Sequence, residues 1–398
     1  MKKILIVSHA MEIGGAEKAL LGLLETIDTT QYQVDLFLLR HQGELLKDIP
    51  ENINLLPAIS EYSDLAVPIM NVLKKSHFRI AYGRFKAKRA AKKRVVELGL
   101  EKNDVGLEYS HKFTARYMPP ISQEDYDAAI SFLTPHYFVT EKVKAKKKIA
   151  WIHTDYSAVS VDKESQLEMW SPYDHIASIS DKAAEAFISV FPTLKEKVVT
   201  IQNILPQRYI ERQTNAFSAE NEMPNDGTIK LLSIGRFCVA KNFDNVPEIC
   251  KLIREQGLNI KWYLIGFGAD EQLIKRKITE FHMEEYVIIL GKKENPYPYI
   301  KTCDLYVQPS RFEGRCVSVT EAQMLGKPVV ITDYPTSASQ LEDGVDGIIV
   351  PLGNDRCAER IANVIQDKEL QHKVIDNTKS KDYSNKSEIN VLYDLIDN

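Results

Sequence analysis

The sequence contains little cysteine, and the cysteines that it has form no recognisable pattern. Cys238, Cys250, Cys303, Cys316 and Cys357 all lie in the second half of the 398-residue chain, and none belongs to a CxxC or CxxH pair. An odd, scattered set argues against a disulfide framework and against a zinc site, and it is typical of reduced thiols. We therefore expect a cytoplasmic protein.

Long apolar runs and a strong charge imbalance are also absent. The N-terminal apolar run, residues 4–7, meets the polar pair Ser8-His9 at once, so it is too short for the core of a signal peptide. Nothing later in the chain approaches the roughly 20 apolar residues that span a membrane. The formal net charge of −4 argues against a dedicated nucleic-acid-binding protein. We expect no nucleic-acid partner.

The chain does contain two successive series of short apolar strands that alternate with helical patterns. This alternation is typical of α/β domains with a parallel sheet. Residues 213–227 are polar and turn-rich, and they predict a linker. The predicted domains are 1–207 and 228–380, with a linker at 208–227. Strands are predicted at Lys3–Ser8, Val34–Leu39, Ala128–Phe132, Lys148–Ile152, His175–Ser180, Lys230–Ile234, Lys261–Ile265, Val287–Leu290, Leu305–Val307, Pro328–Ile331 and Gly347–Val350.

The most informative feature is a pair of carboxylates, Glu313 and Glu321, that stand eight positions apart. The residues around Glu313 predict a turn, and Ser318–Leu325 predict a helix that Gly326 ends. The N-terminus of such a helix offers unpaired N–H groups and a positive dipole end to a phosphate. Ionised carboxylates on either side can accept hydrogen bonds from sugar hydroxyls. This arrangement suits a nucleotide sugar, although paired glutamates also occur on ordinary solvated helices.

In this Glu-x7-Glu motif and its Ser-x-x-Glu-Gly setting, the chain resembles the retaining GT-B glycosyltransferases of family 4. The resemblance covers essentially the whole chain and implies two Rossmann-like, doubly wound domains that face each other across a cleft. It also implies that the last helix, within 381–398, packs back on the first domain. The implied activity is a hexosyl transfer without metal or cofactor. The sugar would move from a nucleotide sugar to a saccharide or lipid-linked saccharide in polysaccharide or glycolipid assembly.

Two basic residues past the strand at 230–234 predict an anion site. The guanidinium of Arg236 and the ammonium of Lys241 are five positions apart and can converge on one anion, although both could instead be solvated. Gly-Arg-x4-Lys-Asn resembles the diphosphate-binding pattern of the family. The resemblance implies that Arg236 and Lys241 neutralise the leaving nucleotide. We find no Asp-x-Asp motif of the kind that metal-dependent transferases use, and we expect no bound metal.

The same resemblance implies roles for other residues of the second half. Glu313 would bind the ring hydroxyls of the donor sugar, and Glu321 would bind the ribose hydroxyls. The backbone amides of Arg315, Cys316 and Val317 would hold the phosphates, while the strand end at Gly291 would frame the base. UDP is preferred over GDP because the chain is similar to polysaccharide-assembly transferases. The donor sugar stays open, because relatives often carry Phe-Gly or Lys-Pro where this chain has Arg315-Cys316.

Two motifs of the first half complete the candidate site. Gly14 and Gly15 open the first helix, where the absence of side chains would admit a bulky anion, although a plain loop-to-helix turn is the alternative. They are not the three-glycine dinucleotide fingerprint. His153 follows a strand at its carboxyl end, and isolated histidines there are often packing residues. By resemblance, Gly14 and Gly15 face the diphosphate, and His153 lies beside the transferred sugar.

Residues 74–94 form a strongly basic segment that contains ten lysines and arginines and no acidic residue. Interspersed apolar residues give it a rough amphipathic pattern, and such a helix can lie on an anionic leaflet. The alternative is a solvated helix that is balanced by acidic residues elsewhere. We expect an acceptor-side or membrane-binding patch, and therefore a cytoplasmic protein bound peripherally to the membrane. The patch consists of Lys86, Lys88, Arg89, Lys92, Lys93 and Arg94.

Three other functions are compatible with parts of this pattern. An isomerase similar to UDP-N-acetylglucosamine 2-epimerase would also bind a nucleotide sugar, but the Glu-x7-Glu and Gly-Gly-Ala-Glu motifs favour transfer. A nucleotide-sugar-binding module without catalysis would not need the intact set of candidate residues. A nicotinamide dehydrogenase is disfavoured, because its glycine fingerprint is missing. Glycosyl transfer is therefore the first hypothesis.

Overall fold

The computed structural model of the chain describes residues 1–100, 102–133, 135–154, 156–157, 159–313 and 316–398. These residues form two compact units. Unit 1 comprises Met1–Pro206 and Asn385–Asn398, and unit 2 comprises Gln207–Ser384.

Unit 1 is built on a parallel sheet whose described strands follow the order β3-β2-β1-β4-β5-β6-β7. The central strands are apolar on both faces, which is typical of a parallel sheet covered by helices. The direction of strand addition reverses between β1 and β4, which are hydrogen-bonded neighbours. The strands are β1 (Lys2–Ser8), β2 (Tyr32–Leu38), β3 (Asn54–Leu55), β4 (Asp125–Ser131), β5 (Lys144–Ile152), β6 (His175–Ser178) and β7 (Val198–Thr200).

The helices of unit 1 cover this sheet, and two of them begin at side-chain caps. The Asp162 carboxylate accepts the backbone N–H of Ser165, and the Ser180 hydroxyl accepts that of Ala183, so each satisfies a donor that the first helical turn leaves unpaired. The helices before the unit boundary are α1 (Gly15–Thr26), α2 (Ser60–Ser63), α3 (Ile69–Lys74), α4 (Phe78–Leu98), α5 (Lys102–Ala115), α6 (Tyr137–Lys142), α7 (Lys163–Trp170) and α8 (Asp181–Val190).

Unit 2 has a second parallel sheet, with its described strands in the order β10-β9-β8-β11-β12-β13. Here the direction of strand addition reverses between β8 and β11, where Leu231 is in register with Leu305. Open α/β sheets bind ligands at such a reversal, outside the carboxyl ends of the strands. The strands are β8 (Ile229–Ile234), β9 (Ile260–Ile265), β10 (Val287–Gly291), β11 (Leu305–Gln308), β12 (Val329–Thr332) and β13 (Ile348–Val350).

Helices pack on the sheet of unit 2 around a core that contains the fully buried Trp262. Amphipathic helices such as α10 and α15 bury their apolar stripes in this core. The helices are α9 (Gln207–Thr214), α10 (Val246–Glu255), α11 (Glu271–Glu280), α12 (Tyr297–Thr302), α13 (Val317–Met324), α14 (Ser337–Gln340), α15 (Asn354–Gln366) and α16 (Lys368–Lys379).

The segment predicted as a linker contains the ordered helix α9 and belongs to unit 2. Tyr209 and Ile210 of this helix are buried, and the Tyr209 ring packs edge-on against Tyr297 at a centroid distance of 6.0 Å. The segment is mostly polar, so its composition did not indicate that these two side chains would be buried. The remainder of the segment also contributes the buried side chain of Met223 to unit 2.

The last helix, α17 (Ile389–Asp397), belongs to unit 1 although it follows unit 2 in the chain. The ring of Tyr393 stacks on Tyr32 at a centroid distance of 4.6 Å, and its hydroxyl accepts the backbone N–H of Asp28 at 2.8 Å. Asp397 forms an ion pair of 2.7 Å with Lys2. These contacts fasten the C-terminal segment to the beginning of the chain.

All of the strands predicted from the sequence are present in the structure, with ends that shift by at most four residues. Two short strands, β3 and β7, were not among them. Strand β3 has only two residues, so it carries no alternating pattern that a sequence could reveal. The fold prediction, an α/β chain with two Rossmann-like domains, is confirmed by the two parallel sheets.

Candidate functional site

The candidate site of unit 2 lies at the carboxyl ends of β8 and β11. The loop after β8 carries Arg236 and Lys241, and the loop after β11 carries Glu313. Arg236 is exposed, while Lys241 is half-buried and its stem lies against Gly235. The two loops are joined because the backbone N–H of Arg311 donates to the carbonyl of Ala240 at 2.8 Å. The strand reversal thus brings the predicted cation and carboxylate together.

Lys241 and Glu313 form a partly buried ion pair with an Nζ–Oε1 distance of 2.5 Å. The same carboxylate oxygen accepts the hydroxyl of Ser310 at 2.6 Å. Burial lowers the pKa of the Lys241 ammonium, but the neighbouring Cys316 and Glu313 outweigh this effect, so the pKa is raised overall. The ammonium therefore stays charged, and Glu313 is held in one orientation by two donors.

Cys316 precedes α13 and contacts the same ion pair. Its Sγ lies 3.7 Å from the Lys241 Nζ and 3.3 Å from the Ser318 hydroxyl. Burial raises the pKa of the thiol, and the charge of Lys241 lowers it in part. The backbone N–H of Cys316 donates to the side-chain carbonyl of Gln340 at 2.7 Å. Phosphate binding by this N–H would require Gln340 to move, which leaves Val317 and Ser318 as the better placed amides of the first turn.

Glu321 is buried inside α13, eight residues after Glu313. Its Oε1 accepts the hydroxyl of Tyr297 at 2.8 Å. Burial and the adjacent carboxylate raise the pKa of Tyr297 well above its usual value, so the tyrosine donates as a neutral hydroxyl. Tyr297 and the nearby Tyr299 are both buried. Helix α13 begins one residue before the predicted start, and Gly326 follows it at a positive φ of 65°.

Arg315, predicted to bind the phosphates, and its neighbour Gly314 lie outside the described residues. Asp155, two residues after His153, also lies outside the described residues. The predicted donor-site residue Gly291 ends β10 at a φ of 74°, a conformation that favours glycine. Its carbonyl accepts the backbone N–H of Gly266 at 3.0 Å, so the loop after β9 is attached to it.

In unit 1, His153 immediately follows β5, as the sequence indicates. Its ring packs on Phe132 at a centroid distance of 4.7 Å. Burial lowers its pKa to about 4, although a backbone hydrogen bond to Phe132 opposes this shift. The imidazole is therefore neutral at pH 7 and suits hydrogen bonding to hydroxyls. Gly14 caps α1, and Gly15 is exposed, with open space where a Cβ would stand.

His153 belongs to a cluster of four histidines that sequence reasoning did not recognise. His9 follows β1, His136 comes shortly after β4, and His111 of α5 lies 5.8 Å from His9 between ring centroids. Each of the four rings has one buried nitrogen without a hydrogen-bond partner among the described residues. The sequence did contain a signal for this cluster, because the polar pair Ser8-His9 comes directly after an apolar strand. Strands β1, β4 and β5 are adjacent and parallel, so residues that follow them meet at one edge of the sheet.

The predicted basic patch lies on α4, where most of its side chains face solvent and one forms ion pairs. Lys86, Lys88, Arg89, Lys92 and Lys93 are exposed. Arg94 instead donates to the buried Asp162 at 2.7 Å and to Glu164 at 2.6 Å, so it supports the packing of α4 on α7.

Three large apolar side chains accompany the exposed lysines on α4. Phe78, Tyr82 and Phe85 are 63%, 53% and 53% exposed. Their spacing places them along one side of the helix, while Ala81, Gly83 and other small residues form its buried side. No helix in the described ranges has both the length and the apolar character that crossing a bilayer requires.

An Asp-x-Asp sequence does occur, at Asp125 and Asp127 of β4. Asp127 serves the fold, because its carboxylate accepts the backbone N–H of Lys3 at 2.8 Å and pairs with Lys146 at 2.7 Å. Across the described part of the chain, no three or more His, Cys, Asp or Glu side chains are grouped as metal ligands.

Comparison with protein families gives a match for most of unit 2. Residues 213–381 match the family described as glycosyl transferases group 1. The match contains every candidate donor-site residue that the sequence placed in the second half of the chain.

Among curated relatives, the chain is similar to two amylovoran biosynthesis glycosyltransferases of Erwinia amylovora. It is 28% identical to AmsK over 134 residues, which are 32% of this chain and 33% of AmsK. It is 24% identical to AmsD over 216 residues, which are 50% of this chain and 61% of AmsD. The chain thus spans between a third and three fifths of the length of these relatives.

Solved structures extend the likeness to the whole chain. TarM of S. aureus, in complex with Fondaparinux, alpha-GlcNAc-glycerol and UDP, superposes with a TM-score of 0.64 at 14% identity and covers 100% of both chains. Identity this low establishes the fold alone. The chain therefore has the two-domain GT-B fold, and residues 213–381, within unit 2, match the glycosyl transferases group 1 family.

Proposed function

We propose that this protein is a retaining glycosyltransferase. It moves a sugar from a UDP-sugar to a saccharide or lipid-linked saccharide in the assembly of a polysaccharide or glycolipid. The observation that carries the proposal is the Lys241–Glu313 pair, held at the strand reversal of unit 2 directly before α13.

The pair is suited to receive a donor that has both a diphosphate and a sugar. A diphosphate that approaches Lys241 competes with Glu313 for the ammonium, and this frees the carboxylate to accept hydrogen bonds from sugar hydroxyls. Arg236 and the N-terminus of α13 add positive potential near the same position. The negative charge that develops on the leaving nucleotide is stabilised by these groups without a metal ion.

Retention of the anomeric configuration follows if the acceptor attacks from the face on which the nucleotide departs. In this scheme the sugar passes through an oxocarbenium-like transition state, and leaving-group stabilisation supplies much of the acceleration. His153 contributes as a neutral hydrogen-bonding group beside the transferred sugar. The burial that keeps its pKa near 4 supports this role, because a neutral imidazole can both donate and accept.

The comparisons support the donor and the pathway class. The relatives AmsK and AmsD are named for amylovoran biosynthesis, which supports a role in polysaccharide assembly. TarM shares the fold and was solved with UDP, which supports a UDP-sugar over a GDP-sugar.

A nucleotide-release assay across a panel of UDP- and GDP-sugars tests the proposal. We expect release from one UDP-sugar to accelerate strongly when a membrane lipid or polysaccharide extract is added, because the extract supplies the acceptor. Proton NMR of the product should show the anomeric configuration of the donor. The assay needs no added divalent cation, and its rate should persist in EDTA.

The same assay separates the proposal from its rivals. An isomerase would convert the donor to its epimer without any extract. A binding module would retain nucleotide-sugar affinity and release nothing under any condition. Either result would replace the glycosyltransferase assignment.

We also propose that α4 attaches the protein to an anionic membrane surface. The exposed lysines and Arg89 supply electrostatic attraction of about 1 kcal/mol per basic residue near the leaflet. The exposed rings of Phe78, Tyr82 and Phe85 supply apolar area that can enter the interface. A lipid-linked acceptor would be met at that surface.

Liposome flotation tests this attachment. We expect the protein to float with vesicles that contain anionic lipid at low salt and to remain unbound with neutral vesicles. Changing Lys86, Lys88 and Lys92 to glutamine should abolish flotation, because these exposed lysines supply the attraction. A control variant changes Lys275 and Lys277 of α11 in unit 2 to glutamine, and it should float as the unmodified protein does. Failure of the unmodified protein to bind anionic vesicles would remove the proposal.

A further inference from the structure

We propose that Phe267 is the platform on which the nucleobase of the donor stacks, an inference that rests on the proposed function. Phe267 follows β9 in the loop Gly266-Phe267-Gly268, and 55% of its surface is exposed. No motif in the sequence analysis includes it, and no step of the proposed transfer uses it.

The loop that carries Phe267 is held against its neighbours. Gly266 and Gly268 have φ values of 154° and 157°, which favour glycine. A Cβ on Gly266 would lie 1.9 Å from the carbonyl oxygen of Gly235, and one on Gly268 would lie 2.3 Å from that of Phe237. The sequence Gly-x-Gly is therefore required for this close approach, and the residue between the glycines has a fixed backbone.

Hydrogen bonds attach the loop on both sides. The backbone N–H of Phe237 donates to the carbonyl of Phe267 at 2.8 Å, next to Arg236. On the other side, the N–H of Gly266 donates to the carbonyl of Gly291 at 3.0 Å. Phe267 thus lies between the loop of the proposed diphosphate cations and the end of β10.

The sheet order sets the distance between the strand that precedes Phe267 and the proposed diphosphate position. The diphosphate would lie at the reversal between β8 and β11, beside Lys241. Strand β9 is two strand spacings from β11, which is about 10 Å. A ribose that is linked to the diphosphate covers such a span, so the base of a nucleotide directed toward β10 reaches Phe267.

The chemistry of the ring suits a base and not a sugar or phosphate. An aromatic face can stack on any nucleobase, since every base has a π-face. The ammonium of Lys292 lies 5.6 Å from the centroid of the Phe267 ring. From there this flexible donor can reach a carbonyl oxygen on the edge of a stacked base. The ring would provide affinity, and Lys292 would orient the base.

Calorimetric titration with UDP and with inorganic pyrophosphate tests the platform. We expect Phe267→Ala to weaken UDP binding about tenfold, within the range that base–aromatic stacking contributes. Pyrophosphate binding should be unchanged, because it lacks the base. Phe267→Trp keeps an aromatic face at this position, so it should bind UDP about as tightly as the unmodified protein does. The control Phe217→Ala removes another exposed ring of unit 2, which packs on Tyr299, and should leave both affinities unchanged.

Two results would overturn the inference while leaving the proposed function intact. One is an unchanged affinity of Phe267→Ala for UDP. The other is an equal loss for UDP and pyrophosphate, which would mean that the ring supports the diphosphate pocket. If the unmodified protein, shown to be folded by its thermal transition, binds no nucleotide or nucleotide sugar, the proposed function fails and the platform fails with it.

Discussion

Glu313→Ala should lower the rate of donor turnover by a factor of about 100 or more. The carboxylate is only 12% exposed and is oriented by Lys241 at 2.5 Å and Ser310 at 2.6 Å. A preorganised charged group of this kind typically contributes a factor of about 100 to 1,000 to turnover. The measurement is nucleotide release at saturating donor with the acceptor extract present. Glu313→Gln keeps the shape of the side chain but not its charge, and it should lose most of the same activity.

Lys241→Ala should have an effect of similar size, for two reasons. It removes a cation that would face the leaving diphosphate, and it leaves the Glu313 carboxylate partly buried without its counter-ion. A matched control is Lys261→Ala, which breaks an ion pair of the same length, 2.5 Å, with Asp226 at the surface of unit 2. The Lys261→Ala variant should release nucleotide at the rate of the unmodified protein. Unchanged nucleotide release by Glu313→Ala or Lys241→Ala would contradict the assignment of the site.

The sequence predicted the strands well because their burial is recorded locally. Runs such as residues 4–7 and 329–331 are apolar on both faces, and this is sufficient to identify a central parallel strand. The order of the strands follows from the fold family that the motifs resemble. Edge strand β3 has two residues and no such run, so its position depends on pairing with β2, a contact that no local pattern encodes.

The candidate site was predicted as a set of residues but not as a set of contacts. Lys241 and Glu313 are 72 positions apart, and their spacing in the sequence does not reveal that each neutralises the other. Cys316 was expected to offer its backbone N–H, yet Gln340 occupies that donor. Partners of this kind are chosen by tertiary packing, which brings α13 and α14 together.

The basic segment illustrates the same limit. Its ten basic residues look equivalent in the sequence, but the buried carboxylate of Asp162 selects Arg94 and that of Asp64 selects Lys75. Arg84 donates to the backbone carbonyl of Asp64. The two ion pairs neutralise Arg94 of the patch and Lys75 of the wider basic segment, and the hydrogen bond directs the charge of Arg84 toward the protein. The lysines that face solvent remain. Charge counting in a sequence therefore overestimates the electrostatic surface of a helix.

Unit 1 should lose stability as the pH falls from about 6.5 toward 4. Burial lowers the pKa values of His9 and His153 to about 4 and that of His111 to about 3. Burial also places the pKa of His136 well below its usual value. The unfolded chain binds protons near pH 6.5, whereas the folded unit does not, so acid favours unfolding. At pH 5 His9, His111 and His153 each cost about 2 kcal/mol of stability, and His136 acts in the same direction. Buried Glu108, whose pKa is raised by burial, offsets part of the loss.

Hydrogen exchange resolved by mass spectrometry measures this loss in each unit separately. Between pH 7 and pH 5, after correction for the intrinsic exchange rate, protection should fall in β1, β4 and β5. The strands of unit 2 serve as an internal reference, because the histidines of that unit, His282 and His372, are exposed. His111→Gln removes one of the groups that bind a proton on unfolding. It should therefore reduce the number of protons taken up on unfolding by up to one, and the stability of unit 1 should depend less on pH. His41→Gln, at an exposed position of unit 1, should leave it unchanged. Equal protection of unit 1 at both pH values would show that the buried histidines are already solvated or charged in the folded state.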